Sequence, residues 1–346
     1  MKKSLIALAV LGSFAGVAAA QSSVTLFGIV DASLRYSNNG TVNKKTLDSG
    51  AESTSRWGVR GTEDLGGGLS AGFWLEAGFN PDNGTSSSAT KFWNRRATVS
   101  LVSQTAGEVR LGRDYNPLFL QYSSFSPFGV VGVGSIQTLI PNLGGSIAGG
   151  TAQDNQRSDN TVSYILPGAI GGVYGQATVA AGEGTAGNKH TGARLGYANG
   201  PINVSAAFGQ TQVTLANAKV KEAGVAASYD FGAVKVIGQY IDRQIDSAKK
   251  SKVYELAATA PVGNGVFKAA YVKLSDFSQT PAVASSIGAA KQFSLGYVYN
   301  VSKRTALYTT YSRLTNTNLA LATSSSLAAV KGAAHTGTEV GIRHNF

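Results

Sequence analysis

The chain has 346 residues, including 43 glycines, 14 tyrosines and 14 phenylalanines, and no cysteine. This turn-rich, aromatic-rich composition argues for β-structure over helix and leaves no disulfide framework to read. A formal net charge of +11 raises the question of a nucleic-acid partner. No run of five or more basic residues supports one.

Residues 1–20 have the form of a secretory leader. Lys2 and Lys3 supply a positive start, Leu5 to Val17 is almost wholly apolar, and Ala18-Ala19-Ala20 fits a small-residue cleavage site. Cleavage after Ala20 leaves 326 residues, with 28 basic and 19 acidic side chains. Export argues further against nucleic acid. No later stretch approaches the ~18 consecutive apolar residues of a membrane helix, so the rest of the chain is either secreted or crosses a membrane as strands.

From Val24 onward, β-patterned runs come in pairs. Seven tight turn signals rich in Gly, Pro, Asn or Asp recur: Asp64 to Gly68, Gln104 to Gly107, Pro167 to Gly172, Asn199 to Pro201, Asp230 to Gly232, Pro261 to Gly265 and Asn300 to Lys303. Between them lie longer polar connections: Asn38 to Gly50, Pro81 to Thr90, Glu183 to His190, Asp276 to Ala290 and Thr315 to His335. Short turns on one rim and long loops on the other predict a closed, transmembrane, antiparallel all-β barrel of about sixteen strands over residues 21–346.

The faces agree with this. Leu69, Ala71, Phe73, Leu75, Ala77 and Phe79 alternate with Ser70, Trp74 and Glu76. Phe293, Leu295, Tyr297 and Tyr299 do the same against Gln292, Ser294 and Gly296. At the end, Val340, Ile342, His344 and Phe346 share one face, a period-two pattern carried to the last residue, as a strand that closes a barrel requires. A secreted β-sandwich or adhesin has the same alternation, and the pattern alone leaves that reading open.

One connection departs from the rest. After Leu111-Gly112-Arg113-Asp114 the next strand pattern begins near Arg157, far beyond the ~12–15 residues of an ordinary loop. Tyr115 to Gln153 contains no charged residue and carries many large apolar side chains, among them Leu118, Phe119, Phe128 and Ile136. Such a loop is unfavourable out in water. Folded into a wide barrel, residues 115–156 would narrow the lumen. A subunit-contact or receptor loop is the alternative. Charges in mid-strand are costly facing lipid and natural facing a water-filled lumen. Arg56, Arg60, Arg95, Arg113 and Arg157 are accordingly the candidates for a cationic wall opposite the loop. Arg95 and Arg96 are adjacent, so alternation allows only one of them to point inward at mid-depth.

At this point the chain resembles the trimeric general porins of Gram-negative outer membranes. The matching residues are Val24 to Gly28, Arg56 to Gly61 leading into Thr62 to Leu69, Asn94 to Ala97, Leu111 to Arg113, and Gly341 to Phe346. The likeness covers essentially all of residues 21–346. It implies a sixteen-stranded barrel in the outer membrane, a homotrimer contacting outer-membrane lipid, and a third loop folded inside as the constriction. It aligns Arg56, Arg95 and Arg157 with a cationic ladder, and makes Phe346 part of an assembly signal. Family members often carry an acidic residue in a Pro-Glu-Phe-Gly type segment. Here Ser126-Pro127-Phe128-Gly129 stands in its place, so Pro127, Phe128 and Gly129 mark a constriction loop without that carboxylate. The implied function is passive diffusion of small hydrophilic solutes and inorganic anions, with anions preferred and no cofactor.

Signals for catalysis are sparse. Gly182 to Gly187 matches a dinucleotide-type glycine pattern, but a strand-like run follows it instead of a helix. His190, His335 and His344 lack metal-ligand spacing. No Gly-x-Ser-x-Gly elbow occurs. A barrel lipase or protease with a triad assembled only in space is the remaining enzyme reading.

Overall fold

The computed structural model describes residues 23–140, 156–168, 170–184, 189–212, 219–245, 249–278, 287–323 and 327–346. The leader 1–20 lies outside them. Wall strand β1 is Ser23–Asn38, β2 runs in two segments, Asn43–Ser49 and Arg56–Gly66, and β3 is Leu69–Asn80. Then come β4 (Arg96–Ser103), β5 (Gly107–Tyr115), β6 (Arg157–Ile165) and β7 (Val173–Ala180). The next are β8 (His190–Asn199), β9 (Ile202–Gln212), β10 (Lys219–Asp230), β11 (Lys235–Ile245) and β12 (Lys249–Val262). The last are β13 (Gly265–Ser278), β14 (Ile287–Asn300), β15 (Thr305–Thr317) and β16 (Ala334–Asn345). The two-residue Thr85–Ser86 is a side ladder on β3.

Each strand pairs antiparallel with its neighbours in chain order, and β16 pairs with β1 from Ile29↔Asn345 to Asn38↔Thr336. The sixteen strands thus close on themselves, leaving no edge whose N–H and C=O groups would face hydrocarbon. Phe346 extends the seam. Its N–H donates to the Gly28 carbonyl and its carbonyl accepts from the Gly28 N–H, both at 3.0 Å. A side chain on Gly28 would meet the Phe346 ring at 2.3 Å, so only glycine lets the ring lie flat on β1 at this point.

The two faces of the wall differ as the alternation predicts. Leu26, Leu34, Phe73, Leu101, Leu195, Phe208, Leu256 and Phe267 all point outward and are exposed. The inner face carries small polar groups that satisfy one another, such as Ser163 with Thr178 at 2.8 Å and Ser294 with Ser312 at 3.0 Å. An apolar exterior around an interior that is polar except where the third loop packs on it matches a barrel solvated by lipid.

All seven short turns fall where the turn chemistry put them, on one rim. The long connections are shorter than the sequence suggests. Asn43–Ser49, in the expected first loop, is a strand paired with Ala32 to Asn38, which leaves only residues 39–42 as connection. β13 likewise runs to Ser278, β14 starts at Ile287, and β15 reaches Thr317. The outward residues of these extensions are largely polar where they rise beyond the apolar band, which weakens the alternation by which a strand would be recognised, although Phe277 and Ala290 on their inner face are buried.

Candidate channel constriction

The long third loop enters the lumen as helix α1, Pro117–Phe125. Pro117 stands in the first helical turn, where no intrahelical bond needs its missing N–H and its fixed φ suits the helix. The Asn116 side chain does not cap the helix. Its carbonyl oxygen accepts from Ser158 at 2.7 Å, and its backbone N–H donates to the Gln156 carbonyl at 2.8 Å, which ties the start of the loop to β6.

The apolar side chains of the loop pack against one half of the inner wall. Leu118, Phe119, Tyr122, Ile136, Leu139 and Ile140 meet Ile241 and Ile245 of β11, Val253 of β12, Val272 and Leu274 of β13, and Leu314 of β15. Phe125 and Phe128 form a second cluster with Ala226, Ile237, Ala257 and Ala270. Polar pins complete the attachment. Ser126 donates to Glu255 at 2.9 Å, the Val133 N–H donates to Glu339 at 3.3 Å, and the Gln292 side-chain amide donates to the carbonyls of Val133 and Ser135. Leu139 is fully buried at the centre of the larger cluster. Leu139→Ala should cost the loop attachment about 2–5 kcal/mol while leaving the wall ladders intact. Single-channel records of that variant should show added open-channel noise, with heat resistance of the barrel little changed.

The other half of the wall is cationic. The gap inside β2 folds inward because Asp31, fully buried, collects it: its carboxylate accepts from the N–H groups of Ala51, Glu52 and Ser53 at 3.3, 3.2 and 2.7 Å and from the Tyr308 hydroxyl. Asp31 is thus a cap, and its charge is taken up by backbone donors. Glu76, on the inner face of β3, accepts from Arg95 at 2.5 Å and lies 3.7 Å from Arg56. Tyr115 fixes the next spacing. Its hydroxyl accepts from Arg95 at 2.8 Å and from Arg157 at 3.0 Å, while its ring stacks on Phe119 at 5.1 Å and lies under the Arg157 guanidinium at 4.4 Å. Arg56, Arg95 and Arg157 therefore stand together, with Arg56 the most open of the three.

A space of about 560 Å³ separates this group from the loop, lined on the loop side by Leu120, Ser123, Gly129, Val130 and Val131. Among the described residues the loop side offers no charge. Glu52 faces the same space but is held by Lys268 at 2.6 Å and approached by Arg343 at 3.6 Å. Among the described residues, the lining of this space and its ion-pair partners together hold five cations (Arg56, Arg95, Arg157, Lys268, Arg343) and two carboxylates, Glu52 and Glu76, an excess of three positive charges.

The remaining sequence candidates fall elsewhere. Arg60 lies four residues beyond Arg56 toward the short-turn rim, over the rings of Phe27 and Trp74 at 5.2 and 5.0 Å. There it lines a separate cavity of about 330 Å³ with Arg96 and Arg110. Arg113 does not join the group. The register shifts between Gly112, at φ 125°, and Asp114, so Asp114 turns inward onto Arg110. Arg113 instead donates to the Asn94 carbonyl and to Asp159, lacing the second loop to β6. Arg95 and Arg96 both reach inward bonds, Arg96 lying over Trp74 at 4.6 Å and near Asp114. Alternation does not bind the pair, because β4 begins only at Arg96. In the loop, Phe128 is buried against the wall and only Gly129 of Pro127-Phe128-Gly129 lines the gap. Sequence reasoning missed Tyr115, Glu52 and Lys268; the signal available for Lys268 was a lysine inside a strand pattern, one residue after the outward Phe267.

His190, His335 and His344 each bond a threonine hydroxyl, those of Thr211, Thr323 and Thr305. Among the described residues no group of three His, Cys, Asp or Glu side chains is placed to hold a metal.

A closed sixteen-strand barrel with an inward third loop and a cationic gap is the architecture of a porin, and sequence comparison agrees. Residues 7–319 match the Gram-negative porin family, and the chain belongs to it. It is 40% identical to outer membrane porin protein 32 of Delftia acidovorans over 370 aligned positions, covering all of both chains. It is 33% identical over 407 positions to an outer membrane porin protein of Bordetella pertussis, again over all of both. A solved structure, the anion-selective porin from Comamonas acidovorans, superposes with a TM-score of 0.82 at 36% identity, covering 94% of this chain and 100% of that one. The protein is a channel of the outer membrane, and the enzyme and adhesin readings fall away.

Proposed function

We propose that this porin is a passive, anion-preferring diffusion channel for small hydrophilic solutes, with residues 115–156 as its constriction. One observation carries the reading: Arg56, Arg95 and Arg157 face an uncharged loop surface across a gap of about 560 Å³. Fixed cations in a narrow aqueous passage lower the entry cost for anions and raise it for cations. The anion-selective porin at 36% identity supports the same sign. Recording single channels in a planar bilayer across a KCl gradient tests it. The reversal potential should lie on the chloride side, and a potassium-side value would refute the proposal.

The working unit is a homotrimer on this reading. Exposed tyrosines ring the barrel at Tyr36, Tyr164, Tyr197, Tyr229, Tyr254, Tyr271, Tyr299 and Tyr311, and none belongs to β2–β5. Tyrosine marks a lipid–water boundary, so its loss over a wall bearing Val59, Leu69, Phe73, Leu75, Val99 and Leu101 suits contact with a neighbouring copy. Residues 1–20 act as the export leader and Phe346 as an assembly signal.

A further inference from the structure

Between the constriction and the short-turn rim, the cationic side of the lumen carries aromatic rings that the third loop does not cover. Trp74 of β3 and Phe27 of β1 are half-buried on the inner face, with ring centroids 4.9 Å apart in an edge contact. Neither belongs to the apolar clusters under the loop. A ring that faces an aqueous lumen keeps apolar surface in water, which is unfavourable until something covers it.

Arginine covers part of it. The Arg60 guanidinium lies 5.2 Å from the Phe27 centroid and 5.0 Å from that of Trp74, and Arg96 lies 4.6 Å from Trp74. Guanidinium stacks on aromatic faces and keeps its in-plane N–H groups for acceptors. The charges nearby are unequally matched. Arg110 grips Glu108 through bonds at 2.7 and 2.9 Å and Asp114 through another at 2.7 Å. Arg96 lies 3.6 Å from Asp114. Arg60 is exposed and, among the described residues, has no carboxylate partner. Three arginines thus meet two carboxylates, and the unmatched charge is that of Arg60.

The register places an open floor beside it. Arg60, Trp74 and Thr98 are successive cross-strand partners on β2, β3 and β4. The next inward row toward the rim is Thr62, Gly72 and Ser100, all small. Neither a positive φ nor a close neighbour requires glycine at 72, since a Cβ there would meet only the Gly61 carbonyl at 3.4 Å and Thr62 Oγ1 at 4.0 Å. Its effect is to leave a cavity of about 330 Å³, walled by Arg60, Trp74, Arg96 and Arg110. That lies at the small end of the ~300–1,000 Å³ of ligand pockets and suits a solute of one ring.

We propose that Arg60, Gly72, Trp74 and Arg96, backed by Phe27, form a subsite for planar aromatic monocarboxylates on the short-turn side of the constriction. The carboxylate takes N–H donors of Arg60 and matches its free charge. The ring lies over Gly72 against Trp74, extending the stack and removing ring surface from water. An aliphatic acid of equal size and charge gains the first interaction without the second. The subsite deepens the anion-channel reading and rests on it, naming the class of organic anion that the passage favours.

The test uses the full-length assembled porin in a planar bilayer with KCl at neutral pH, to which benzoate or cyclohexanecarboxylate is added. Both acids are ionised there, and they differ in the flat ring. Benzoate should interrupt the chloride current at a half-blocking concentration about tenfold below that of cyclohexanecarboxylate. Gly72→Val fills the floor with no change of charge, and Arg60→Lys keeps the charge without the plane. Each should bring the two half-blocking concentrations within about twofold, while open-channel conductance reports an intact barrel. Equal block of the wild type by the two acids, or an undiminished preference in either variant, overturns the proposal. The KCl reversal potential in the same records separates the two claims. A chloride-side value with equal block removes the subsite alone, whereas a potassium-side value removes the anion channel and the subsite together.

Discussion

Replacing Arg56, Arg95 and Arg157 together by serine should bring the reversal potential in a KCl gradient from the chloride side to near zero. The expectation rests on the charges at the space between the arginines and the loop. The group at the gap holds five cations and two carboxylates, and the substitution leaves Lys268 and Arg343 against Glu52 and Glu76. An excess of three becomes a balance. Each single substitution should do less, and Arg56→Ser the most of the three, because Arg95 is already committed to Glu76 and Tyr115 while Arg56 is a quarter exposed to the passage. Raising salt should weaken the wild-type preference, since the screening length shrinks from ~10 Å at 0.1 M to ~3 Å at 1 M. Conductance should rise in the triple variant, as three long side chains are shortened. An unchanged reversal potential would mean that the conducting path does not pass between these arginines and the loop.

How much of this is legible in the sequence differs between the wall and the site. Strand alternation and turn chemistry are local, so Leu69 to Phe79 and Asp64 to Gly68 declare themselves from neighbours in sequence. Strand count follows from seven turns, and closure from the pattern carried through Val340 and Ile342. The group of Arg56, Arg95 and Arg157 is reachable because mid-strand charge has few places to go in a barrel. The organising residues are not. Tyr115 acts through two bonds to residues 20 and 42 positions away, and nothing in its local sequence distinguishes it from a girdle tyrosine. Glu52 enters the pore only because Asp31 draws Ala51, Glu52 and Ser53 inward. Arg113 reads as a lining candidate in the sequence, but a bulge at Gly112 breaks the parity on which strand reasoning depends.

Deleting Phe346 should sharply reduce the yield of assembled barrel while changing the finished protein's heat resistance little. The seam between β16 and β1 holds ten paired positions, from Ile29↔Asn345 to Asn38↔Thr336, and all survive the deletion. What is lost is the final pair of backbone bonds to Gly28 and the ring that covers that glycine. These contacts lie at the short-turn end of the seam, where the last strand meets the start of the first. Two bonds worth about 1 kcal/mol each are a small part of a closed sixteen-strand ladder. In assembly their weight is larger, because the seam joins the most distant parts of the chain and its register must be found before any other contact holds it. The ring on Gly28 fixes that register by shape, since a side chain there would collide with it at 2.3 Å. Gly28→Val, with Phe346 retained, should therefore reproduce the assembly defect by displacing the ring. Heat-modifiable mobility on gels would measure the folded fraction in membranes for both variants. Normal assembled yield after both changes would show that the terminal contact plays no part in finding the seam.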